Sequence, residues 1–324
     1  MYNKAFSIVV FVCFFSLMAA NLSAQDKYPD KPIQALVGYA PGGATDSASR
    51  IMAEFLQKQL KQPVVVVNKP GGGGAIVGNE LFKSKPDGYT IGMFNDNQPT
   101  PEYMMNPERF IYKSKDILAI AQWTGTTPTF FTRYDAPWKT TDDFVKYARS
   151  NPNKLKWSHA GVGNFNWMVG TKFIQQAGVK MLDVPFQGDA ESITALLGSH
   201  VDLSVIAYGT LTIAQMEAKK IRPLCMSTQE RFDLLPEVPT CKELGYDIGL
   251  PLSYLGTFVP RPTPKEVFDK LGDAILKVTK EPEFRERLAK IGMPVWYRNA
   301  RDLEEYIENA AKLRYKVLKE LGVL

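Results

Sequence analysis

The residues best suited to chemistry lie in three loops, each placed between a strand-like run and a helical run. The first is Tyr39-Ala40-Pro41-Gly42-Gly43-Ala44-Thr45-Asp46. Gly42 and Gly43 allow a sharp turn and a close backbone approach to a bound group. The amides of Ala44, Thr45 and Asp46 then fall at a helix start, where N–H groups lack intrahelical acceptors and the dipole is positive. Such a start can hold an anion. An ordinary glycine turn capped by Thr45 or Asp46 has the same composition. The second loop, His159-Ala160-Gly161-Val162-Gly163-Asn164-Phe165-Asn166, repeats the arrangement. It lacks the third glycine of a dinucleotide fingerprint, because Asn stands at 166. The third, Pro185-Phe186-Gln187-Gly188-Asp189-Ala190-Glu191, offers Gln187 as a donor and Phe186 as a packing face. Asp189 can cap the following helix or accept from a ligand amine or hydroxyl, and capping is the simpler expectation. Two glycine loops after strands favour a ligand held between two lobes.

Catalysis finds little support. There is no Gly-x-Ser-x-Gly elbow, and the only histidines, His159 and His200, have no Ser or Cys partner by motif. Cys225, Cys241 and the two histidines match no zinc spacing. No catalytic residue, metal or cofactor is therefore assigned. Gly71–Gly74 is not a phosphate loop, since no Gly-Lys-Ser/Thr follows, and it reads as a close backbone pass. Cys225 and Cys241 read as two unpaired thiols in preference to a bridge.

The elements that must position these loops alternate in the α/β manner. Strands are expected at Ile33–Val37, Val64–Val67 (fully apolar, as inside a parallel sheet), Tyr89–Phe94, Trp157–His159, Met181–Pro185, Leu203–Ala207 and Ile221–Met226. Helices are expected at Ala44–Leu60, Ala75–Lys83, up to Ser150 behind a Thr140 or Thr141 cap, Trp167–Gln176, Ala190–Leu197 and Thr210–Ala218. A further helix is expected after Thr263 as cap and Pro264 at its first position. Helices then run to the C-terminus, with a break near Gly292–Arg298. This predicts two α/β lobes, one from 25–122 plus 253–324 and the other from 123–252. A hinge is expected where the chain crosses, near Trp123–Pro128 and Leu252–Thr257.

The N-terminus reads as a secretory leader: Lys4, an apolar run from Ala5 to Ala20, then small residues Ser23 and Ala24, with cleavage near Ala24. Removing 24 of 324 residues leaves 300 and takes the net charge from +5 to +4. That balance suits an ordinary surface as well as an anionic ligand. With 45% hydrophobic and 23% charged residues the chain is globular. No basic run with interleaved aromatics points to nucleic acid.

Several segments, in order along nearly the whole mature chain, resemble the periplasmic receptors of tripartite tricarboxylate transporters, often called Bug proteins. They include Tyr28-Pro29-Asp30-Lys31-Pro32-Ile33, Ala40–Asp46, Val66–Gly73, Pro86-Asp87-Gly88-Tyr89-Thr90, Ala195–Gly198, Val201-Asp202, Leu235–Thr240 and Glu243-Leu244-Gly245-Tyr246. The resemblance implies a two-lobed periplasmic binding protein of the Venus-flytrap type, a monomer without enzymatic activity. It would hold a small carboxylate through loop amides and bridging water, and deliver it to membrane transporter subunits. Carried over by position, first-lobe contacts would be Tyr39, Ala44, Thr45, Asp46, Asn95 and Asp96. Second-lobe contacts would be Gly163, Asn164, Trp167, Phe186, Gln187 and Asp189.

The sequence departs from the family pattern at Gly38 and Ala40 (usually Pro), Asn164 (often Ser) and Trp167 (often His). It also departs at Phe186 and Gln187 (usually Tyr then Lys or Arg), and Asp189 replaces a small residue. Losing a cation and gaining an acid on the second lobe predicts a ligand with one carboxylate plus a neutral, aromatic or amine-bearing part, with Trp167 and Phe186 as apolar faces. A sensory receptor for a membrane signalling partner, and less readily a cleft enzyme using a carboxylate, are the alternative functions.

Overall fold

The computed structural model describes residues 28–104 and 106–324, so the expected leader, with Lys4, Cys13 and the cleavage site, lies outside the described residues. The chain opens with β1 (Ile33–Val37), α1 (Ala44–Leu60), β2 (Val64–Asn68), α2 (Ala75–Lys83) and β3 (Thr90–Phe94). Helical spacing places Ala48, Ile51, Met52, Phe55 and Leu56 of α1 on one buried face. Lys61, left-handed at φ 56, ends the helix and returns its amide to Gln57 O. β1 lies between β2 and β3 and runs parallel to both, with Ala35 level with Val66 and Ile91. β2 is an edge strand and not an interior one, so its four valines are not all covered and Val65 is 51% exposed.

Two long strands complete the first sheet. β4 (Ile117–Thr126) and β10 (Ser253–Pro260) pair antiparallel, and the order is β11-β4-β10-β3-β1-β2, with the short β11 at Arg298–Asn299. The expected lobe division at 122 falls inside β4, which stays in this sheet through Thr126. Only Thr127 separates β4 from β5 (Pro128–Arg133), the first strand of the second sheet.

That second sheet has the order β7-β6-β8-β5-β9, from β6 (Lys156–His159), β7 (Leu182–Pro185), β8 (Leu203–Ala207) and β9 (Ile221–Met226). Its helices are α3 (Thr141–Ser150), α4 (Phe165–Gln176), α5 (Asp189–Leu197) and α6 (Thr210–Glu217). Thr140 caps α3 by accepting from Asp143 N at 3.1 Å, and the Asp143 carboxylate bonds back to Thr140 N.

The chain returns through β10 to α7 (Lys265–Lys280), α8 (Pro282–Lys290) and α9 (Ala300–Glu320). α7 begins one residue later than expected. Pro264, with ψ 141, is the cap position, and Thr263 Oγ1 donates backward to Pro260 O, so it does not cap the helix. α9 spans both lobes. Leu303 and Ile307 pack in the first lobe's core, while Val317 and Leu318 pack in the second's, and Lys172 of α4 pairs with Glu320 at 3.1 Å.

Cys225 and Cys241 are both buried, with their sulfurs 2.6 Å apart. Two non-bonded thiols do not pack that closely, whereas a bond needs only a small further approach to ~2.05 Å. In the structure both are free thiols, as the sequence reading has them; outside the cytoplasm, where disulfides persist, we expect this close pair to oxidise. Maleimide labelling of denatured protein should find no thiol before reduction and both after it. The bridge would close a loop of about 15 residues and contribute about 3 kcal/mol. Two labelled thiols in untreated exported protein would disprove the bridge.

Candidate functional site

The cleft between the lobes holds two adjoining cavities, which share Tyr39, Ala160 and Asn164. The inner one, about 60 Å³, is lined from the first lobe by the Tyr39–Thr45 loop, Asn95 at the end of β3, and Thr126 and Ser253 of the two crossing strands. The second lobe contributes Asn164–Asn166, Gly188–Ala190 and Ala207. The first turns of α1, α4 and α5 therefore converge on one space. Gly43 precedes α1 and Gly188 precedes α5, and neither helix has a side-chain cap. Their first N–H groups have no capping side chain and lie in the positive end of each dipole. α4 differs, because Asn164 Oδ1 accepts from Trp167 N at 2.8 Å.

Loop geometry on the first lobe is set by Asp46 from behind. Its carboxylate accepts from Gly42 N at 2.9 Å, Arg50 Nε at 3.0 Å and Asn68 Nδ2 at 2.8 Å. Asn68 Nδ2 also donates to Tyr39 O at 2.9 Å, so the end of β2 ties both ends of the loop. Asp46 neither caps α1 nor lines a cavity, and Thr45 lines the inner cavity without capping. Burial alone would raise the Asp46 pKa, but the bonds from Arg50, Gly42 and Asn68 outweigh it and hold the carboxyl below its usual range.

Tyr39 and Asn95 face the inner cavity and bond each other; Asn95 Nδ2 donates to Tyr39 Oη at 2.8 Å. Burial keeps the Tyr39 hydroxyl protonated well above the ordinary tyrosine range. Asp96 does not join them. It is 2% exposed, ion-paired to Arg314 of α9 and bonded by the Ser253 hydroxyl, so it forms the floor beneath the site.

On the second lobe, Trp167 turns away from the cleft. It is buried in the core, with Nε1 donating to Asp183 Oδ2 at 3.0 Å. A buried indole N–H needs an acceptor, and β7 supplies one. The same Asp183 accepts from His159 Nε2 at 2.6 Å, while His159 Nδ1 accepts from Gly161 N at 3.1 Å. This chain fixes the tautomer and anchors the glycine loop. Asp189 does face the inner cavity and does not cap α5; Gly188 occupies the cap position. Its oxygens accept from Ala207 N at 3.2 Å and Asn166 Nδ2 at 3.3 Å. Burial pushes its pKa up to about 6, against those two bonds.

The outer cavity, about 440 Å³, takes in Gly163, Phe186 and Gln187. Its other wall is the Gly71–Gly74 turn, all four residues at positive φ, together with Asn97, Met104 and Arg109. Arg109 is the only cation lining either cavity among the described residues. The sequence marked the glycine run as a backbone pass and gave no sign of Arg109, Ser253 or Thr126. Asn166, at the end of the second loop, was the one omission a local reading could have included.

The lobes also touch beside the cavities. A Cβ on Gly209, at the start of α6, would come within 3.2 Å of Ala44 Cβ, so glycine there permits the approach.

Two α/β lobes around a cleft lined by helix starts define a solute-binding protein of the periplasmic kind. The chain belongs to the tripartite tricarboxylate transporter family of receptors, whose family model matches residues 48–323. The UPF0065 protein in gbd 5'region of Cupriavidus necator is 32% identical over 95% of this chain and 93% of its own. Among solved structures, a periplasmic transporter superposes with TM-score 0.86 at 26% identity, covering 91% of this chain and 99% of the other. The periplasmic binding protein BugD gives 0.81 at 28%, with the same coverage.

Proposed function

We propose that the protein is a periplasmic receptor that captures a small carboxylate in the inner cavity and delivers it to the membrane subunits of a tripartite tricarboxylate transporter. It acts as a monomer and releases its ligand unchanged. The observation that carries this reading is the pair of uncapped helix starts, α1 from one lobe and α5 from the other, aimed into one cavity. A carboxylate there receives N–H donors from both lobes only when they stand together, so ligand favours the closed arrangement. The proposed contacts are Tyr39, Ala44, Thr45, Asn95, Asn164 and Asp189 in the inner cavity, with Gly163, Phe186 and Gln187 in the outer one. Asp46, Asp96 and Trp167 act from behind.

Thermal-shift and calorimetric titration with a panel of mono-, di- and tricarboxylates tests this. A true ligand at a hundred times Kd should add about 2.7 kcal/mol of stability. Mass spectrometry should recover it chemically unchanged. Stabilisation only by uncharged solutes, or turnover of a bound acid, would overturn the proposal.

A further inference from the structure

Resting on the carboxylate-receptor reading, we infer that Asp189 makes this site selective for carboxylates that also carry an ammonium group, held so that the carboxylate meets the start of α1 and the ammonium meets the Asp189 carboxylate. Asp189 projects into the same small cavity as the first turn of α1, so both would touch a single guest. A carboxylate has about four acceptor positions, and the protein fills two of them, from Ala207 N and Asn166 Nδ2. Asp189 lines the cavity with the remainder unfilled by the protein's own donors among the described residues.

No cation of the inner cavity answers this charge among the described residues. Arg109 lines the outer cavity, Arg314 is spent on Asp96, and His159 is bonded to Asp183 behind the glycine loop. The neighbouring Tyr39 hydroxyl stays protonated and neutral. An acid facing an anion-holding cavity repels a plain carboxylate. It becomes an asset when the guest brings its own positive charge, because a partly buried carboxylate gains most from a paired, hydrogen-bonded cation. The raised pKa of Asp189 is what a buried acid without a cationic partner should show.

The test compares amino acids with their deaminated counterparts of equal chain length by calorimetry. It uses wild type and Asp189→Asn, which keeps the shape and removes the charge. At about pH 8, wild type should bind the amine-bearing member at least about tenfold tighter. The preference should collapse in D189N, and in wild type it should fade as pH drops through about 6 and Asp189 takes up a proton. The pH series needs no variant, so a misfolded D189N would not spoil it. Deaminated acids binding as well or better at about pH 8, with no change in the preference as pH drops through about 6, would overturn the inference and leave the carboxylate receptor intact. Failure of every acid in both series would overturn the receptor reading as well.

Discussion

Replacing Arg314 with methionine is expected to destabilise the protein by about 3–5 kcal/mol, the cost of leaving a buried charge without its partner. Asp96 and Arg314 are 2% and 3% exposed. The guanidinium pairs with the Asp96 carboxylate and also donates to Asp96 O at 3.1 Å. Burial already drives the Asp96 pKa up, and Arg314 with the Ser253 hydroxyl holds it back. With methionine at 314 nothing of comparable strength opposes protonation, so the variant should regain part of its loss at low pH. Adding Asp96→Asn to Arg314→Met should recover part of it at neutral pH for the same reason. Denaturant unfolding across that double-mutant cycle measures the pair directly. A loss under about 1 kcal/mol for the single variant would mean the pair contributes no more than a surface bridge.

Asp46→Ala is expected to weaken ligand binding by about one to two powers of ten and to cost about 1–3 kcal/mol of stability, because it strands donors on Gly42, Arg50 and Asn68. The affinity loss is indirect. Asp46 lines no cavity, but the loop it ties presents Tyr39, Ala44 and Thr45. The pH sign follows from its depressed pKa. A carboxyl lowered in the folded state stabilises the fold above its unfolded pKa of about 3.9, and that stabilisation is lost as pH falls through the lower folded value. The stability gap between wild type and D46A should therefore narrow in acid below about pH 4. An unchanged dissociation constant in D46A would show that the loop holds its shape without this tie.

What the sequence revealed was mostly what short-range pattern encodes. Ala44–Leu60 and Ala75–Lys83 form where their apolar spacing placed them, and the glycine loops stand at the cleft. Strands β4 and β10 were read only as crossings, because their identity as strands lies in pairing across more than a hundred residues, as between Ser253 and Thr126. Trp167 beside a glycine loop looks like a ligand platform in one dimension. Asp183, which claims its N–H, arrives from a neighbouring strand. The side chains of Asp46 and Asp96 likewise look free in sequence, whereas Asn68 and Arg314 engage their carboxylates. Acids at loop ends look alike in sequence; the distinction lies in which partner the fold brings.

One rod, α9, is seated in both halves of the molecule, with Arg314 between its two anchor points and locked to the floor of the cleft. Parting the halves by translation would pull Val317 and Leu318 from their seat, so the low-cost motion is a swing with its axle near Arg314. Displacement in such a swing grows with distance from the axle. The pocket floor at Ser253, bonded to the Asp96 that Arg314 holds, should then move least, and loops farther out along the cleft should move more. In such a swing, selection at the bottom of the cleft and admission at its top would be mechanically separate.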